Sequence, residues 1–246
     1  MRGTGPMVQM TRRDEAMLEW LGVVRMADMD AVRWALAALA MGEAEKPVSL
    51  RKAQQWVARL EDVGLLGRAR PAFRDHSIVW ATHQAVGVSP PNLYRQTVRH
   101  DVAVAAVSAR YLARGYTWYR DRRPAGVADH QVDGVAVKGD LVELIEVELT
   151  PKTLGRYKLI CTNHAARLTT GGVARIVYLC TTDAAKVVAR EADKFIFRDQ
   201  RHRLLCLPMF DVRGKWIRGD AQLWADVPAA IPGGGRTPEL WDRAAV

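Results

Sequence analysis

Cysteine is scarce in this 246-residue chain, and the three that occur set the first limits. Cys161, Cys180 and Cys206 are odd in number and widely spaced, with no CxxC pair and no neighbouring histidine at zinc spacing. Neither a disulfide framework nor a zinc finger is expected, and buried thiols in a reducing cytoplasm are. Long apolar runs are missing as well. The opening residues, MRGTGPMVQMTRRDE, hold no apolar core of signal-peptide length and no later segment approaches a membrane span, so a cytoplasmic protein with no membrane partner is expected. There is no internal repeat, no phosphate-binding loop of the GxxxxGK type and no Gly-x-Ser-x-Gly elbow, which argues against an ATPase or a serine hydrolase.

What is present is a core-forming, basic chain. Hydrophobic residues make up 49%, ample for one large domain or two modest ones. The formal net charge is +9, and the stretches before and after residue 99 are both basic. That balance favours an acidic partner, and nucleic acid ahead of membrane, because no basic amphipathic anchor accompanies the charge.

The N-terminal third shows helical spacing three times. Met17, Leu18, Leu21 and Val24 predict a helix from Arg12 to about Val24, after a loose arm, and Val32, Leu36 and Leu39 a second from Asp30 to Ala40. Ser49 is placed to cap a third, Leu50 to about Val63, stopped by Gly64. Its expected core positions are Leu50, Ala53, Val57 and Leu60, which leaves Arg51, Lys52, Gln54, Gln55 and Arg59 outward. Two strand-like runs follow, Leu65–Arg70 and Ser77–Thr82, around a basic turn with Arg74 and His76. Three helices and a hairpin predict a winged helix over residues 1–88. Duplex DNA is its expected ligand, read by Arg51, Lys52, Gln54, Gln55 and Arg59 with the wing residues Arg68, Arg70 and Arg74. Winged helices also serve as docking modules, and a charged helix face is often merely solvated.

Pro90-Pro91 break both helix and strand and mark the expected boundary. Beyond it, residues 89–226 predict an α/β domain: a helix from His100 to Arg114, a short strand Tyr116–Arg120, then further strands and helices ending in a strand from Leu204 to Phe210. Residues 227–246, rich in Pro and Gly, predict a flexible or surface-wrapped tail.

The most chemical stretch is ADHQVDGVAVKGDLVELIEVELTPKTLGRY, Ala128 to Tyr157. Gln131–Val137 and Leu141–Leu149 predict a hairpin closed by Lys138-Gly139-Asp140. Alternation puts Ile145, Val147 and Leu149 on a core-directed face and Leu144, Glu146 and Glu148 on the other, with Asp133 on the matching face of the first strand. Asp133, Glu146 and Glu148 then converge, and three carboxylates at close quarters are expected to recruit a cation or raise a pKa. A solvated edge strand is the bland account of the same acids. Thr150 is expected to cap a helix beginning at Pro151, setting Lys152 and Arg156 near a helix N-terminus suited to phosphate.

These residues resemble the PD-(D/E)xK nuclease superfamily: Val132-Asp133 followed by Glu146-Val147-Glu148, with Glu148 where the superfamily has Lys and Lys152 as a migrated substitute. More narrowly, EVELTPKTLGRY after a VDGV strand, with His100-Asp101 and Gly115-Tyr116-Thr117-Trp118 upstream, is similar to the replication-relaxation family of plasmids and other mobile elements. The resemblance implies an α/β fold in two parts, a winged helix followed by a restriction-endonuclease-like domain with a mixed central sheet. In function it implies DNA binding in mobile-element replication, transfer or its regulation. If that domain does not cut, it serves to assemble a homodimer or to touch DNA backbone. The alternative is a Mg²⁺-dependent endonuclease or nickase in which Asp133, Glu146 and Glu148 bind metal and Lys152 stabilises the charge developing on phosphorus. A relaxase with a catalytic Tyr is disfavoured, since no paired-His motif is present.

Overall fold

Thr11 and Asp14 begin the first helix as a reciprocal cap: Thr11 Oγ1 accepts from the Asp14 amide at 3.2 Å while Asp14 Oδ2 accepts from the Thr11 amide at 2.9 Å. The structure, a computed structural model, describes residues 9–71, 77–170, 172–217, 219 and 221–225. These are mixed helix and sheet and divide into two packing units, one up to Tyr116 and one from Thr117 onward. Arg74, His76 and the expected tail at 227–246 lie outside the described residues.

In the first unit, α1 (Arg12–Val24) leads through β1 (Ala27–Asp28) to α2 (Met29–Met41) and α3 (Leu50–Glu61), followed by β2 (Leu66–Ala69) and β3 (Ile78–Ala81). The strands form an antiparallel sheet in the order β1-β3-β2. A short helix, α4 (His83–Val86), and a long one, α5 (Val98–Ala113), complete the unit. The three predicted helices and the hairpin are all present, within a few residues of their expected ends. The two-residue β1 is too short to carry an alternation signal, so sequence reading missed it.

One expected core position is different. Leu50 is the first helical residue after the Ser49 cap and is 47% exposed; Trp56 takes a core place beside Ala53, Val57 and Leu60. The unit boundary also falls later than the paired prolines. α5 is tied to the N-terminal helices by Trp20 Nε1 donating to Ser108 Oγ at 2.9 Å and by Arg110 to Asp30 at 2.9 Å. Val98 and Val102 share a cluster with Met26 and Ile78.

In the second unit the strands β4 (Thr117–Tyr119), β5 (Gly134–Lys138), β6 (Leu141–Glu148), β7 (Arg175–Thr181) and β8 (Leu204–Phe210) lie in that spatial order. β4 to β6 are antiparallel, and β6, β7 and β8 are parallel, joined by α6 (Leu154–Thr170) and α7 (Thr182–Phe195). The sheet is mixed, as expected. A 3-10 turn (Arg201–Arg203) and a last short helix, α8 (Ala221–Trp224), finish the described chain.

α6 and α7 share one core with the sheet, in which Val135, Val142, Leu144, Ile176, Tyr178 and Cys180 meet Tyr157, Ile160, Cys161, Ala165 and Val188. This overturns the facing predicted for β6. The Leu144, Glu146, Glu148 side lies in the helix-covered core, and Ile145 and Val147 are buried too, so β6 is a central strand buried on both faces and not a solvated edge.

A basic side chain just ahead of β8 is put to internal use. Arg203 donates to the carbonyls of Leu168 and Ala174 at 3.0 Å and to that of Val173, fastening the end of α6 to the entry of β7.

Candidate functional site

Glu146 is the centre of the second unit's polar chemistry. It sits toward the C-terminal end of β6, opposite Tyr178 of the parallel neighbour β7, and its side chain is turned to α6. There it meets two imidazoles. His130 Nε2 contacts Glu146 Oε1, and His164 Nε2 lies 3.3 Å from the same oxygen. His164 Nε2 is also 2.9 Å from the Tyr178 hydroxyl. Relative exposures of 7% for His130, 3% for Glu146 and 0% for His164 place all three inside the core, where bulk water screens them little. One donor atom from each of the three lies within 4.8 Å of the other two.

Three different elements supply these side chains. Glu146 comes from the hairpin, and His164 from the buried stripe of α6, where Tyr157, Ile160, Cys161, His164 and Leu168 recur at helical spacing. His130 comes from the loop between β4 and β5, which is fixed at both ends. Asp121 takes a two-pronged ion pair from Arg167 of α6, at 2.7 and 2.9 Å, and accepts from the Val132 amide at 2.8 Å. Arg122 grips Asp129, whose Oδ1 accepts from the His130 amide at 2.9 Å. Asn163 of α6 donates to the Ala128 carbonyl at 2.7 Å and accepts weakly from the His130 amide at 3.3 Å.

Electrostatics follow the packing. Burial alone would raise the Glu146 carboxyl, but hydrogen bonds from His130 and His164 outweigh it and hold the carboxyl well below its ordinary value. Burial pushes the His164 imidazole down, against the pull of Glu146, and pushes the Tyr178 phenol well up. Glu148 moves the opposite way from Glu146. Its burial raises it, Lys152 offsets part of that, and the Glu146 and Asp133 carboxylates add to it.

The carboxylates stay close enough for Glu146 and Asp133 to help raise Glu148, as expected of a convergent group, but each also has a partner of its own. Asp133 precedes β5 and accepts from the Val147 amide at 2.7 Å; Glu148 is paired with Lys152; Glu146 is turned to the histidines. Mg²⁺ asks for near-octahedral oxygen donors with several waters retained. An acid held by two imidazoles and another held by an ammonium do not fit that requirement. Lys152 also stands outside the helix in whose first turn it was expected. α6 starts at Leu154, because the Thr153 carbonyl is the first acceptor, taking the amides of Arg156 and Tyr157 at 3.0 and 3.1 Å. The Lys152 amide is held instead by the Tyr157 hydroxyl at 3.0 Å. Arg156 is exposed in the first turn of α6.

The basic face expected on the first unit is present in part. Arg51, Lys52, Gln54 and Gln55 are exposed on α3, whose other side buries Ala53, Trp56, Val57 and Leu60. Arg59 is turned inward instead, to the fully buried Asp14, which also accepts from Trp56 Nε1 at 2.8 Å. Arg68 is exposed and pairs with Glu61 at 2.8 Å, and Arg70 is exposed.

The cysteines are free thiols, Cys161 and Cys180 buried and Cys206 half-buried. Among the described residues no helix is long and apolar enough to cross a membrane. Comparison with protein-family models, with curated proteins and with solved structures found no match.

Sequence reading missed His130 and His164. His164 had a signal, a histidine on the apolar stripe of an amphipathic helix, whereas His130 stands in a loop and had none.

Proposed function

We propose that this chain is a DNA-binding protein of plasmid-type mobile-element replication, transfer or its regulation, with the first unit acting as a winged helix on duplex DNA. The observation that carries the reading is the exposed face of α3. Arg51, Lys52, Gln54 and Gln55 lie together on one capped helix, directly ahead of a strand that carries Arg68 and is followed by Arg70. Arg and Gln side chains are suited to bidentate contacts with guanine and adenine, and Lys to phosphate. The net charge of +9 supplies attraction independent of sequence. The likeness of VDGV and EVELTPKTLGRY to the replication-relaxation family supports the biological setting.

In this reading the second unit is a nuclease-like domain that does not cut. Asp133, Glu146 and Glu148 each serve a partner inside the fold, and Lys152 is engaged by Glu148. The catalytic assignment of these four residues and of Mg²⁺ is the weaker alternative.

The test is duplex binding across a salt series, with an Arg51→Ala plus Lys52→Ala variant and with supercoiled plasmid and Mg²⁺ as a parallel arm. The variant is expected to bind about tenfold more weakly or worse, with the salt slope reduced by about one for each phosphate that is no longer neutralised. The plasmid should shift without nicking. Equal binding by both proteins removes α3 as the DNA-reading element, and metal-dependent nicking restores the endonuclease reading.

A further inference from the structure

We propose that His130, Glu146 and His164 hold one divalent transition-metal ion of the zinc class, which cross-links the β4–β5 loop, β6 and α6. The separation of 3.3 Å between His164 Nε2 and Glu146 Oε1 suits a hydrogen bond in the ion's absence and equally suits two ligands on a common ion. Donors about 2.1 Å from zinc at a tetrahedral angle lie about 3.4 Å apart. His130 Nε2 approaches the same carboxylate oxygen, so three donors from separate elements face one small region of the core.

Donor chemistry selects the ion. Two imidazole nitrogens and one carboxylate suit zinc and its first-row neighbours, whereas Mg²⁺ and Ca²⁺ take oxygen ligands. The Tyr178 hydroxyl, 2.9 Å from His164 Nε2, is one group within reach of a fourth position. The loop and the helix that carry the two histidines are held in place by partners of their own. Asp129 and Asn163 hold the His130 backbone, and Asp121 with Arg167 locks the loop to the helix that carries His164. The burial of all three ligands and their three-element origin give the ion a structural role. The inference is independent of DNA binding.

Zinc content and cobalt spectra test it. Full-length protein stripped by chelator and dialysed against Zn²⁺ should retain about one zinc per chain. The His130→Gln and His164→Gln variants should retain about tenfold less or worse, while His202→Gln, at an exposed position of the same unit, keeps the full amount. Co²⁺ in the wild type should give visible ligand-field bands that Zn²⁺ abolishes, and Zn²⁺ should raise the melting temperature of the wild type and not of the histidine variants. Wild-type protein that retains no stoichiometric zinc, or histidine variants that retain as much as wild type, overturns the proposal. Should the variants fail to fold by circular dichroism, the wild-type cobalt spectrum decides alone, and absence of bands overturns it.

Discussion

The two units place their charges in opposite ways. In the first, the buried charged side chains among the described residues are Asp14 and Arg110, and the helix face with the densest polar chemistry points to solvent. In the second, Asp121 with Arg167, Glu143 with Arg175 and Glu146 with two histidines are all buried. A surface charge costs little to keep and is available to a partner. A buried one is tolerated only when matched, and it makes the fold depend on its match. The first unit is thus built to present charge and the second to lock it away.

The largest expected effect comes from breaking a match in the second unit. Arg167→Met strands the Asp121 carboxylate, which is 2% exposed, and should lower unfolding free energy by about 3 to 5 kcal/mol. Urea titration of the full chain reads this as a lower midpoint. An undiminished midpoint would mean that the pair is solvated and the contrast between units is false.

Next come the two glycines at which the units agree. A Cβ on Gly134 would stand 1.9 Å from the Trp118 ring, and one on Gly67 2.4 Å from the Trp80 ring, so in each sheet an indole lies across a bare backbone. Gly134→Ala and Gly67→Ala should each cost about 1 to 3 kcal/mol through forced repacking. Thermal melts of the two variants check whether the units are equally tight at these points.

An effect of similar size sharpens one of the two exceptions in the first unit, Asp14. Burial would raise this carboxyl, but hydrogen bonds from Thr11, Trp56 and Arg59 together hold it below its ordinary 3.8. A lowered folded value means that the stability it contributes is present above pH 3.8 and is lost as pH falls through the folded value. Asp14→Asn should therefore be about 1 to 3 kcal/mol less stable at neutral pH and lose less on acidification. Parallel acid melts of wild type and variant would expose an error in sign.

Local order was legible where periodicity is strong. The α3 cap at Ser49, the stop near Gly64 and the β5–β6 hairpin around Gly139 all follow from residue chemistry confined to a few positions. The shared facing of Asp133 and Glu146 follows from the same alternation. What covers that face did not follow, because alternation says which residues lie together and not which side a helix will take. The His130 and His164 partners of Glu146 were hidden for a related reason: they meet only once the loop and α6 are both laid on the sheet. The start of α6 was misread because Thr150-Pro151 has the composition of a helix start, while the Glu148–Lys152 pair and the Tyr157 hydroxyl hold those residues out of the helix.

The loop that carries His130 also offers a handle to the experimenter. Its tip is bare, with Val127 99% exposed and open space around Gly126, yet Asp121, Arg122, Asp129 and Asn163 secure both of its shoulders. A label, an epitope or a cleavable linker spliced in at 126–127 would hang from two anchored stems, leaving the sheet beneath it undisturbed.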